Sequence, residues 1–382
     1  MKKRKILYIS GTRADYGLMR ETLFSIRKHP KFKLEIVVTG MHLMPKFGKT
    51  IRQIQKDGFQ IHRIDTVYKG DNKESMSHFI GEFVLKLTKL VKKIKPDIIL
   101  VLGDRAEMLG GVIVGAYLAI PVAHMHGGDV TTTVDEFARH AITKLAHIHF
   151  AATPKSAERI IKMGEDPWRV FVVGAPGLDS ILNKKLLSRK EIEKKYNLNF
   201  LKPILLVLQH PVTVEVEDAP RQIRETMEVI KTLGFQTIVI YPNADAGGRK
   251  MIKVIEKYRK YPFIKIYEDI LHHDYLSLMK IASVLIGNSS SGIIESIPFR
   301  LPVVNIGVRE KKRERAVNVI DVDYDREQIK KAIERALYDK RFREKVKKCK
   351  NPYGDGRAGI RIANILSKIK IDKKLLQKQI TY

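Results

Sequence analysis

The chain has 382 residues, more than one compact core readily takes up, and its length points to two domains. With 44% hydrophobic and 30% charged residues and no uninterrupted apolar run of about 18 residues, the composition predicts a soluble globular protein and excludes a membrane-spanning helix. Lysine and arginine (71) outnumber aspartate and glutamate (42), but the excess is scattered through helical segments with few interleaved aromatics, so it reads as solvated faces and nucleic acid is not an expected partner.

The basic start MKKRKILYIS has too short an apolar stretch for a secretory signal and runs straight into GTRADYG, which predicts a first strand over 5–10. Further short Ile/Val-rich runs follow at 34–39, 97–102, 121–125, 148–152 and 170–173, then at 204–208, 236–241, 263–267, 283–286 and 302–305. Helical patterns fill the gaps, notably 14–28, 74–95, 105–118, 136–146, 218–233, 247–260 and 326–348. This alternation predicts an α/β fold of parallel sheets with covering helices. The expected arrangement is a Rossmann-like domain over 1–178 and a second, nucleotide-binding one over 179–355, their strand ends facing across a cleft. A helix over about 356–382 is expected to return to the first domain. The single cysteine, Cys349, rules out an internal disulfide and a cysteine-built metal cage, and fits a reducing, cytoplasmic compartment.

The residues just after the apolar runs carry the chemistry, because open parallel sheets bind ligands outside the carboxyl ends of their strands. IGNSSSGIIE offers Ser289, Ser290 and a helix start to a diphosphate, with Glu295 able to accept from two ribose hydroxyls; the plain alternative is a Ser-rich capped turn. GTRADYG brings Arg13 to a turn but is not the GxGxxG dinucleotide fingerprint, so a nicotinamide enzyme is not expected. GDR at 103–105, HMHGGD at 124–129 and DEFARH at 135–140 gather Asp104, His126, Asp129, Asp135 and His140, carboxylates and imidazoles suited to proton transfer. Their spacing is poor for a metal, and no metal or other cofactor is expected. For His124 the alternative is a hydrogen-bonded core residue; for Asp135, Arg139 and His140 it is a capped helix start with local ion pairs. QHPV places His210 at a strand end, where a protonated imidazole would stabilise an anionic leaving group, and YPNADAGG adds Asn243 on the next strand.

Taken in order, GTRADYG, GDR, HGGD, RHAITKLAHIHFAAT, QHPV, YPNADAGG and GNSSSGIIE resemble the hydrolysing UDP-N-acetylglucosamine 2-epimerases over nearly the whole chain. The resemblance implies a GT-B fold and a homodimer or homotetramer acting on a nucleotide sugar. It implies that Arg13, His210, Ser289, Ser290 and Arg309 contact the diphosphate, that Asn243 lies in the nucleotide site and that Glu295 holds the ribose. On the catalytic side it implies roles for Asp104, Arg105 and Asp135, with His42 on a nearby loop. His126 departs from the glutamate that many members carry, which leaves the substituents at sugar C4 and C6 open. The reaction so implied is elimination of UDP to a glycal followed by hydration, with Asp104 and Asp135 transferring protons and His126 or Asp129 handling water. A GT-B glycosyltransferase, a non-hydrolysing epimerase and a nucleotide-sugar binding protein without turnover are the alternatives.

Overall fold

The computed structural model describes residues 3–44, 50–67, 73–130, 135–183, 186–212, 214–243 and 245–381. They form two compact units. The first comprises Met1–Asp129, Asp135–Leu182 and Tyr353–Tyr382, and Asn183–Pro352 belongs to the second.

In the first unit the strands are β1 (Arg4–Ser10), β2 (Phe32–Val38), β3 (Gln60–Arg63), β4 (Ile98–Leu102), β5 (Val122–Met125), β6 (Ile148–Ala151) and β7 (Val170–Val172). They pair in parallel in the order β3-β2-β1-β4-β5-β6-β7. Period-two alternation sends Ile6, Tyr8, Ile36, Val38, Ile98 and Leu100 to one face and Leu7, Ile9, Val37, Ile99 and Val101 to the other. Both sides of the sheet are therefore buried, which is why these strands read as continuous apolar runs. The helix Arg13–Lys28 begins with a capping box in which Thr12 accepts from Asp15 N and the Asp15 carboxylate accepts from Thr12 N. The chain returns to this unit through the helix Ala358–Lys368 and a short one, Lys373–Leu376, where the sequence suggested a single helix. Asp179 fixes the return by accepting from the first amides, Ala358 N at 2.9 Å and Gly359 N at 2.6 Å.

The second unit repeats the plan with β8 (Ile204–Leu208), β9 (Gln236–Ile240), β10 (Ile264–Tyr267), β11 (Val284–Gly287), β12 (Val303–Ile306) and β13 (Val319–Val322). Their order is β10-β9-β8-β11-β12-β13, again parallel. Leu205, Val207, Val239, Val284, Ile286, Val304 and Ile306 pack in its core with residues of helices Ala219–Leu233, Gly248–Ile255 and Arg326–Tyr338. The helical pattern over 326–348 is broken at Asp339, which closes one helix and caps the next, Lys340–Lys348, by accepting from Phe342 N at 3.0 Å.

In each sheet the strand order reverses once, between β1 and β4 in the first and between β8 and β11 in the second. Such reversals open a crevice at the carboxyl ends, since the two connections leave in opposite directions. Gly287, the last residue of β11, sits at φ +133° with no room for a side chain, because a Cβ would collide with the Leu208 carbonyl of β8. Gly287→Ala is expected to destabilise the protein by about 3 kcal/mol through combined strain and overpacking, read as a lowered urea midpoint with an unchanged slope.

Candidate active site

At the reversal of the first sheet, β4 runs into Asp104 and Arg105. Arg139, on the helix Asp135–Leu145, is 2% exposed, ion-pairs with Asp104 and donates to the Asp129 carbonyl at 2.8 Å. One partner is thus 35 residues away in the chain. A buried guanidinium demands such partners, and here they draw the ends of β4 and β5 together. Arg105 ion-pairs with Glu107 at 3.3 Å. Glu107 is fully buried, and its carboxylate occupies the space that a side chain at residue 11 would fill.

After β5, His126 adopts a left-handed conformation, φ +62°, with its N–H donating to the Phe150 carbonyl of β6 at 3.2 Å. Such a conformation in a non-glycine residue is strained and clusters at functional sites. The following Gly128 is also left-handed and lies so close to the helix Pro154–Lys162 that a Cβ would meet the Ser156 carbonyl. His126 Nδ1 is 3.0 Å from Asp129 Oδ2, and Asp129 Oδ1 accepts from Ser156 Oγ at 2.8 Å. Since a carboxylate only accepts, Nδ1 carries the proton, and the lone pair of the neutral ring is on Nε2. The arrangement is an imidazole aimed by a buried aspartate, with one nitrogen left to exchange protons.

His42 is different. It is fully buried in a 3-10 turn, Gly40–Leu43, with Nε2 2.9 Å from Ser10 Oγ and Nδ1 2.7 Å from Thr50 Oγ1. Ser10 donates its own proton to Asp15, so His42 donates from Nε2 and accepts at Nδ1, both nitrogens engaged. Burial, with the charges of Arg105 and Arg13 adding to it, lowers its pKa to about 4. The neighbouring carboxyl of Asp15 is pushed up to about 6 by burial and secondarily by Glu107, against the hydrogen bond from Ser10. His124 is a buried core residue bonded to the Gly103 carbonyl at 2.8 Å, and His140 is half exposed beside Glu136. Arg13 is the first residue of its helix, and burial depresses its pKa. The Asp135 side chain lies outside the described residues.

At the reversal of the second sheet, Asn288 is fully buried and clamps the exit of β8: its Oδ1 accepts from His210 N at 2.6 Å and its Nδ2 donates to His210 O at 2.9 Å. His210 Nδ1 accepts from the Asn243 amide at 3.0 Å, which links the exit of β9 and fixes the tautomer with the proton on Nε2. Burial, reinforced by Arg309, lowers its pKa to about 3. The cationic imidazole expected from the sequence is therefore a neutral one with its N–H direction set. Arg309, beyond β12, donates to Asn288 O at 3.2 Å and pairs at 2.7 Å with Glu310, itself 1% exposed. Among the described residues its buried Nε finds no acceptor, nor does the buried Asn243 Oδ1 find a donor. Ser289 caps the short helix Ser290–Ile294, at whose end Glu295, 5% exposed, meets His272 Nε2 at 3.1 Å. The second sheet thus brings His210, Asn243, Ser289, Ser290 and Arg309 to neighbouring strand ends. Among the described residues no group of three His, Cys, Asp or Glu is placed to hold a metal ion, and no helix is long and apolar enough to cross a membrane.

Sequence reasoning did not single out Glu107 or Asn288 and gave Arg139 only local partners. The available signal for Asn288 was its place inside the marked strand-end stretch IGNSSS, whereas Glu107 lies two residues beyond the marked GDR.

A family model described as UDP-N-acetylglucosamine 2-epimerase matches residues 25–367. The UDP-N,N'-diacetylbacillosamine 2-epimerase (hydrolyzing) of Legionella pneumophila is 40% identical over 376 residues, 98% of each chain. The UDP-N-acetylglucosamine 2-epimerase of Neisseria meningitidis serogroup B is 33% identical over 334 residues, 87% of each chain. Among solved structures, UDP-GlcNAc 2-epimerase from Neisseria meningitidis bound to UDP-GlcNAc matches with a TM-score of 0.83 at 19% identity, covering 96% of this chain and all of that one, a likeness of fold. The fold class is α/β and GT-B-like, as the sequence predicts.

Three buried histidines, His42, His124 and His147, and the half-buried His210 have pKa values lowered from 6.5 to between about 3 and 4, chiefly by desolvation. Below 6.5 the unfolded chain binds protons that the folded one refuses, so stability rises with pH across this window. Asp15 and Asp179, whose pKa values burial raises, work in the opposite direction, but they are two groups against four. The urea midpoint is expected to fall steadily from pH 7 to pH 4.5; a flat profile would contradict these burial assignments.

Proposed function

The chain belongs to the UDP-N-acetylglucosamine 2-epimerase family, and from that premise we propose that it is a hydrolysing 2-epimerase. It converts a UDP-linked 2-acetamido sugar to UDP and the free 2-epimer. The candidate substrates are UDP-N,N'-diacetylbacillosamine, favoured by the 40% identity over 98% of the chain, and UDP-N-acetylglucosamine, whose product is N-acetylmannosamine. We place it in the cytoplasm as a homodimer or homotetramer in sialic acid-type or legionaminic acid-type biosynthesis. The observation that carries the reading on the structural side is the His126–Asp129 pair, an oriented imidazole beside the Asp104–Arg139 pair at a strand reversal.

In the first half-reaction the proton on sugar C2 is removed and the C1–O bond to the diphosphate breaks, leaving a C1–C2 double bond and UDP. The second half-reaction adds the elements of water, hydroxyl to C1 and hydrogen to C2 on the opposite face. Because the C2 hydrogen is weakly acidic, stabilising the departing diphosphate matters most. Arg309 and Arg13 supply charge, His210 donates from Nε2, and Ser289 and Ser290 donate hydroxyl hydrogen bonds. Glu295 accepts from the ribose, and Asn243 serves the nucleotide. Asp104 and Asp135 are the proton-transfer groups, Arg105 steadies developing negative charge, and His126, aimed by Asp129, handles the water. His42, with both nitrogens engaged, supports the turn that carries it.

Incubation with each nucleotide sugar in deuterated water is expected to give free 2-epimeric sugar with deuterium at C2 and an equivalent of UDP. A glycosidic product or an equilibrium of nucleotide sugars would instead identify a transferase or a non-hydrolysing epimerase. Asp104→Asn is expected to lower kcat by roughly 100-fold to 10,000-fold, the range for loss of a general acid or base. An unchanged rate of UDP release would remove Asp104 from the chemistry.

A further inference from the structure

The helix His272–Ile281 touches the nucleotide-side residues at two points, although its side chains have no role in the scheme above. His272 meets Glu295. Tyr275, three residues on and therefore on the same face, is 7% exposed and places its hydroxyl 2.6 Å from Ser291 Oγ. Ser291 Oγ in turn lies 2.8 Å from Ser289 Oγ, and the Ser291 amide approaches Ser289 Oγ at 3.4 Å. Three hydroxyls therefore form a line from the core of the second unit to the serine at the exit of β11.

Each hydroxyl has one proton, so without a ligand the line can run in either direction. A phosphate oxygen accepts only. Once Ser289 donates to it, Ser289 must accept from Ser291, and Ser291 must accept from Tyr275. The line then has a single polarity, and each bond strengthens the next. Phenylalanine would fill the same space as Tyr275, and a hydroxyl buried to this degree is unfavourable unless it is bonded. Its bond goes to the group next in line to the ligand.

We propose that Tyr275 is a positioning residue for the nucleotide diphosphate, acting through Ser291 to aim the Ser289 hydroxyl at an anionic oxygen. The proposal rests on the assignment of Ser289 to the diphosphate. It makes the contribution of Tyr275 specific to the charge of the ligand: UDP benefits and uridine, which has no phosphate, does not.

Calorimetric Kd values for UDP and uridine with wild type, Tyr275→Phe, Ser291→Ala, the double variant and Ser289→Ala test this. Tyr275→Phe and Ser291→Ala are each expected to weaken UDP by about threefold to tenfold, the net value of a hydrogen bond between neutral groups. The double variant should lose no more than the larger single, because both break one line, and uridine should stay within about twofold of wild type. Ser291→Ala removes the middle link without altering the core tyrosine, so the test stands if the Phe variant fails to fold. Unchanged UDP affinity in Tyr275→Phe and Ser291→Ala, with loss in Ser289→Ala, overturns the relay and leaves the diphosphate seat in place. Equal losses for UDP and uridine show packing alone and also overturn it. UDP affinity unchanged in Ser289→Ala overturns the seat itself.

Discussion

A guanidinium cut off from water sets the geometry of the first unit. Arg139 is 2% exposed, and a charge so buried is tolerated only when its donors are matched. Its matches are the Asp104 carboxylate beyond β4 and the Asp129 carbonyl beyond β5. The loop of HGGD then has little freedom: it passes beneath the helix Pro154–Lys162 at Gly128, bends through a left-handed His126 and returns Asp129 to the imidazole. The strain at His126 is held in place by the Phe150 carbonyl and by the Asp129–Ser156 contact. An imidazole held this way keeps one direction, which is what preorganisation requires.

The second unit reaches the same end with neutral groups. Asn288 closes two hydrogen bonds on the backbone of His210, and the Asn243 amide occupies His210 Nδ1. Three strand exits are thereby locked by one amide side chain and one ring. The elements that hold these groups also carry their hydroxyl and carboxylate neighbours, Ser289, Ser291 and Glu295, so the arrangement belongs to the sheet reversal and not to a mobile loop.

The strands buried on both faces were legible to within a residue or two, because Ile/Val runs such as ILLVL at 204–208 have no other use in a sheet of this kind. The edge strands β3 (QIHR) and β13 (VIDV) were not, since each is short and half polar and is recruited by its neighbour rather than by its own pattern. The long 326–348 pattern concealed a break because Asp339 reads as one more exposed charge until its carboxylate is seen to cap. In the site, residue types at strand ends were readable, but not partners. Nothing in DEFARH says that Arg139 reaches Asp104, and nothing in GDRAE says that the glutamate is sealed against residue 11. Protonation was the least legible property, because it depends on burial and partners: His210 reads as a candidate cation in QHPV, yet desolvation pushes its pKa down and its Nδ1 accepts a hydrogen bond from the Asn243 amide.

The neutrality of His210 follows first from desolvation and then from the company the ring keeps. Arg309 brings a permanent positive charge to the same strand ends, and a second cation beside it in a desolvated place would be opposed by both repulsion and lost hydration. Arg309 keeps its charge whatever the pH, and the histidine presents an N–H whose direction is fixed by the Asn243 amide. Glu310, 1% exposed and paired with both Arg309 and Arg313, keeps the guanidinium from withdrawing to solvent. The unsatisfied Arg309 Nε then has a physical reason to persist, since the Asn288 carbonyl and Glu310 hold the other end of the same rigid plane.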